Sequence, residues 1–116
     1  MKEYQSLSHT RWDCKYHIVF IPKRRKKRIF GALRKHLGEI FHELAGHRES
    51  QIVEGHLMSD HVHMCLSVAL KFSIAMVIGF LKGKSAVRIH RSLGNRRVTG
   101  LHFWSRGYCV STVGLN

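Results

Sequence analysis

The sequence predicts an α+β sandwich of order βαββαβ, with two helices on one face of a four-stranded antiparallel sheet. Two observations carry that reading. Apolar residues alternate in several stretches and recur at helical spacing in two others, and these stretches follow one another through short connections. A third observation sets the sheet's other face apart. The stretch "SDHVHMCLSV", residues 59–68, keeps its apolar residues on one side and places two histidines, His61 and His63, on the opposite one.

In "CKYHIVFIPK", residues 14–23, Tyr16, Ile18 and Phe20 share one face while Lys15, His17 and Val19 share the other, which is a strand pattern. Pro22 and the run "KRRKKR" end it. From Ile29 to His47 the apolar residues Ile29, Phe30, Leu33, Leu37, Ile40, Phe41 and Leu44 have helical spacing, and Gly46 suits the helix end. Gln51–Met58 and His61–Val68 read as strands joined by the turn Ser59-Asp60, hence a hairpin. Ser73 caps a second helix that runs to about Ser92, with Ile74, Val77, Ile78 and Leu81 on one face. After the basic loop "GNRRVTG", residues 101–114 are aromatic and β-branched, and a fourth strand is expected there. The order is that of the ferredoxin-like, RRM-like split βαβ sandwich.

With 116 residues, a single domain over 1–116 is expected. No run of 18 apolar residues occurs, and the polar start "MKEYQSLSHTRWD" has no apolar core of a secretion signal, so no membrane partner and a cytoplasmic location are expected. Twenty Lys+Arg against seven Asp+Glu give a net charge of +13. So large an excess in a small domain implies a polyanion, with nucleic acid as the first choice. Cys14, Cys65 and Cys109 have no metal-ribbon spacing and are expected to be buried free thiols.

His61 and His63, at i and i+2 of a strand, point the same way. Such a pair suits a metal ion if a third ligand closes the site, and His56 and Asp60 are nearby candidates. A histidine in a strand is also a common hydrogen-bonded packing residue, so the pair alone does not decide.

"DHVHM" in the third strand of such a fold resembles the HUH motif, histidine–hydrophobic–histidine. Together with "SLSHTRWDCKYHIVFIPKRRKK", "LKGKSA" and "FWSRGYCVSTVGLN", it makes nearly the whole chain resemble the single-tyrosine transposases of the insertion-sequence 200/605 family. The resemblance implies a homodimer that cuts and rejoins single-stranded DNA at hairpins through a 5′-phosphotyrosine intermediate. It implies that His61 and His63 hold a divalent cation, magnesium or manganese, although imidazole also suits later transition metals.

In the family the tyrosine lies on a helix after the fourth strand, in a pattern like YIxxQ whose glutamine is a third ligand. This sequence ends at Asn116, and the helix, nucleophile and glutamine are expected to be missing. Of Tyr4, Tyr16 and Tyr108, Tyr108 is a weak candidate nucleophile. The loop "SVALKFS" also lacks the prolines that family members often carry after the HUH strand.

The expected DNA contacts are Lys23, Arg24, Arg25, Lys26 and Lys27 in the basic run, Lys82, Lys84 and Arg88 on the second helix, and Arg96 and Arg97 in the next loop. His102, Trp104 and Arg106 alternate in the last expected strand and could stack bases, with core packing the preferred role for Trp104. Two other readings stay open. One is a catalytically silent hairpin-binding remnant or transposition inhibitor. The other is an RNA-binding domain, which would leave the histidine pair unexplained.

Overall fold

The computed structural model describes residues 14–25, 27, 29, 31–93 and 103–113. Strand β1 is Cys14–Phe20, helix α1 Gly31–Gly46, β2 Ser50–Met58, β3 His61–Val68, helix α2 Ile74–Leu93 and β4 Cys109–Thr112, with a 3-10 turn at Lys23–Arg25. The sheet order is β2-β3-β1-β4, and each pairing is antiparallel. This is the βαββαβ sandwich expected from the sequence.

The core lies between the helices and the two central strands. Ile18 and Phe20 of β1 and Val62, Met64, Leu66 and Val68 of β3 are buried there. Leu37, Ile40, Phe41 and Leu44 of α1 and Val77, Ile78, Leu81 and Ile89 of α2 cover them. Burying one such side chain stabilises by about 1.5–3 kcal/mol, so this double row outweighs any single polar contact in the fold. Ser73 caps α2 as expected: its hydroxyl accepts the Met76 N–H at 3.1 Å.

A bulge shapes the edge strand β2. Ile52 pairs with Leu66 and Glu54 with Cys65, so Val53 has no opposite partner and stands 54% exposed. Side chains alternate along a strand. The extra residue therefore turns Glu54 and His56 onto the open face of the sheet; without it they would point towards α1.

The fourth strand is shorter than residues 101–114. Its ladder with β1 covers only Cys109–Thr112, and Trp104 makes an isolated bridge to Pro22. The reason is that residues 103–107 bond elsewhere. The Lys23 N–H donates to Phe103 O, and the Ser105 N–H to Ile21 O, both at 2.8 Å. Lys82 Nζ donates to Ser105 O and Gly107 O, each at 2.7 Å. Gly107 has φ +79°, a left-handed conformation that breaks the extended run.

The segment is thus a strap from the end of β1 to α2. Trp104 is buried beneath it, edge-on to Phe20 and Phe103 at 4.8 and 4.7 Å, and its indole N–H donates to Ser85 Oγ at 2.9 Å. The expected alternation of His102, Trp104 and Arg106 on one strand face therefore fails. Trp104 is core, Arg106 is exposed, and His102 lies outside the described residues.

The thiols are free, but the expectation that they are buried is wrong: Cys14 and Cys109 are exposed and Cys65 is half-buried. Cys14 sits at a strand end, Cys109 on the edge strand, and Cys65 on the face that no helix covers.

Trp104→Ala should destabilise by about 3–5 kcal/mol. Ser85→Ala should cost about 1–3 kcal/mol because it strands the buried indole N–H. Urea unfolding followed by circular dichroism measures both. The Ser85→Ala cost should shrink when Trp104 is already Phe, since no N–H is then left unpaired.

Candidate metal and DNA site

Strand β3 supplies the centre of the site. Val62, Met64 and Leu66 are buried in the core, so alternation puts His61, His63 and Cys65 on the open face, each partly exposed. Asp60, in the two-residue turn, sets the orientation of His61. Its Oδ1 lies 2.9 Å from His61 Nδ1, which donates to it. When the imidazole is neutral, this contact leaves the lone pair on Nε2, the arrangement that second-sphere carboxylates give to metal-binding histidines.

His63 has imidazoles on either side. His56 is its direct partner on β2, with ring centroids 6.1 Å apart, and His17 on β1 lies 5.5 Å away. Of the two third-ligand candidates, Asp60 is held by His61, and His56 Nε2 stands 3.0 Å from Glu54 Oε2. Among the described residues, no three His, Cys, Asp or Glu side chains are placed to hold one ion. His17 was missed from sequence. Its outward position in β1 was readable, but its closeness to His63 depends on the register between β1 and β3.

Among the described residues, Tyr16 lies away from the histidines. Tyr16 pairs with Leu66 on the core side of the sheet. Burial, followed by the neighbouring Cys14, pushes its phenol above the usual range, away from the activated form that a nucleophile needs. Tyr108 is exposed and comes one residue before Cys109, which pairs with Val19 on the histidine face. Tyr4 lies outside the described residues.

The basic run begins and ends near the start of β3. Phe20 pairs with Val62, so β1 ends where β3 begins, beside His61. The Ile29 N–H donates to Ser59 O at 3.1 Å and ties the far end of the run to the turn before His61. Lys23, Arg24 and Lys27 are exposed there. Arg24 has φ +62°, a left-handed conformation that non-glycine residues seldom adopt. Arg25 belongs to the same turn, while Lys26, Arg96 and Arg97 lie outside the described residues.

The cations of α2 are placed differently, on the helical layer. Lys82 is committed to the strap carbonyls, and burial lowers its pKa. Arg88 grips Glu43 of α1 at 2.7 and 3.4 Å, which holds the Glu43 carboxyl below the usual range. Lys84 is exposed.

Comparison with known proteins identifies the family. The family profile described as "Transposase IS200 like" matches residues 10–116. The transposase for insertion sequence element IS200 of Salmonella typhimurium is 41% identical over 118 residues, covering all of this chain and 78% of that protein. The ISDra2 transposase TnpA of Deinococcus radiodurans is 27% identical over 107 residues, covering 90% of this chain and 76% of its own.

Among solved structures, a Deinococcus radiodurans protein described as a candidate transposase superposes with a TM-score of 0.79 at 26% identity, covering 89% of this chain and 81% of that one. A REP-associated tyrosine transposase bound to a REP hairpin superposes with a TM-score of 0.66 at 10% identity, covering 89% of this chain and 58% of that one, and so shares the fold. The HVH strand, the basic turn beside it and a match over nearly the whole length lead to one conclusion: the chain belongs to the IS200-like transposase family.

Proposed function

We propose that the chain acts in DNA transposition by binding single-stranded DNA hairpins, with His61 and His63 holding a divalent ion, magnesium or manganese, beside the scissile phosphate. One observation carries this reading. His61, oriented by Asp60, and His63 lie on the open face, at the end of the sheet where Lys23, Arg24 and Lys27 emerge.

A bound cation there supplies Lewis-acid polarisation of a phosphate oxygen. The chain's own residues do the rest. Asp60 keeps the lone pair of a neutral His61 on Nε2, and the basic turn draws the DNA backbone towards the pair. The structural relative bound to a REP hairpin supports a hairpin as the partner. Lys84, Arg96 and Arg97 are proposed to contact further phosphates. Lys82 and Arg88 contribute their charge from within the protein contacts already described.

We propose a single domain working as a cytoplasmic homodimer; among the described residues no helix is long and apolar enough to cross a membrane. A second reading, hairpin binding without strand cleavage by this chain, is supported by the position of Tyr16 on the core side of the sheet, away from the histidine face.

End-labelled single-stranded hairpin DNA, incubated with the chain and manganese and run on native and denaturing gels, tests both. A shift on the native gel is expected, and its absence sinks the proposal. A covalent adduct on the denaturing gel that disappears in His61→Ala selects cleavage; a shift without an adduct selects binding alone. Asp60→Asn should weaken manganese binding by roughly 10–100-fold, measured by titration. Lys23→Ala and Arg24→Ala should each reduce the slope of log affinity against log salt by about 0.7.

A further inference from the structure

The strap from Phe103 to Gly107 is the backbone partner of the chain that enters the basic turn. The Ser105 N–H donates to Ile21 O, Phe103 O accepts from the Lys23 N–H, and Trp104 bridges to Pro22 between them. Three consecutive residues, Ile21, Pro22 and Lys23, are thus held against the strap. Arg24, with its left-handed φ of +62°, follows at once. The placement of the turn therefore depends on the placement of the strap.

Lys82 fixes the strap from the helical layer. Its Nζ donates to Ser105 O and Gly107 O, each at 2.7 Å, and lies 5.8 Å from the ring centroid of Phe20, the last residue of β1. An ammonium has three N–H donors, and two of these are spent on protein carbonyls. Such short, charge-assisted bonds are roughly twice as strong as neutral ones. Ser105 is held on both sides of its peptide unit, by Ile21 at its N–H and by Lys82 at its carbonyl. Two hydrogen bonds thus separate Lys82 from the entry to the turn.

We propose that Lys82 is a positioning residue for DNA binding: through the strap it sets the geometry of the basic turn at Lys23–Arg25, and it makes no phosphate contact of its own. This rests on the reading of the turn as part of a hairpin-DNA site. Gly107 offers a second way to disturb the same strap. Its φ is +79°, and a Cβ added there would meet nothing within 4 Å, so alanine strains the backbone without a clash and without changing the charge.

Hairpin affinity measured against salt tests the proposal in the full chain. Lys82→Met keeps an unbranched apolar stem and removes the donor. It should weaken hairpin binding by about tenfold while the slope of log affinity against log salt stays at the wild-type value. A lysine that touches a phosphate would instead lower that slope by about 0.7, and this result, or an unchanged affinity, overturns the proposal. Gly107→Ala should weaken binding by about fivefold, again at the wild-type slope. Circular dichroism at the assay temperature checks that each variant is folded, so a loss of stability alone does not mimic the effect.

Amide hydrogen exchange in DNA-free protein is a separate readout. In Lys82→Met the Lys23 and Ser105 amides should exchange about tenfold faster, while those of the β1–β3 ladder keep their wild-type rates. Unchanged protection at Lys23 and Ser105 sinks the proposal whatever the hairpin result. If the wild-type chain binds no hairpin, the DNA-binding reading falls, and exchange alone decides whether Lys82 holds the turn.

Discussion

The two-residue period of β3 is the constraint on which the rest depends. Val62, Met64, Leu66 and Val68 are buried, and the strand lies in the interior of the sheet with partners on both sides. A slip of one residue would expose all four and push both histidines into the core, at a cost no surface contact could offset. The hydrophobic row thus acts as the positioning device for the chemistry. It holds His61 and His63 outward without any bond to them, and Asp60 only refines the ring orientation of one.

A second dependence runs through β1. Its Phe20 packs against Phe41 and Trp104, and its end hands the chain to the basic turn. The strap at residues 103–107 is bonded both to that end and to α2, through Lys82 and the Trp104–Ser85 contact. The "LKGKSA" stretch therefore serves the fold: Lys82 and Ser85 anchor the strap that leads into β4. Lys82 shows how a cation in a basic protein can be structural. It donates to two strap carbonyls even though burial lowers its pKa.

Charge is divided by this architecture. The exposed cations of the turn share an end of the sheet with the histidines, whereas those of α2 lie across the thickness of the sandwich. On the proposed reading, a polyanion attracted by the overall field meets its contacts at the first of these places. The bulge in β2 then adds imidazole and carboxylate to the same open face, which makes that face the chemically dense side of the molecule.

The sequence by itself determined the element order, both helices, the β2–β3 hairpin and the outward pair His61 and His63, because periodicity is local and each pattern fits only one kind of element. The family resemblance was legible for the same reason, in contiguous motifs. Tertiary structure decided what depends on register and on competition for hydrogen bonds. The closeness of His17 to His63 needs the β1–β3 pairing, and the outward turn of Glu54 and His56 needs a bulge that no local pattern announces. The shortening of the fourth strand arises because Lys82, Lys23 and Ile21 claim backbone groups that a strand would use, and the exposure of the thiols follows from which face the helices leave uncovered. Each of these is a contact between distant stretches of chain, and one-dimensional spacing does not contain it.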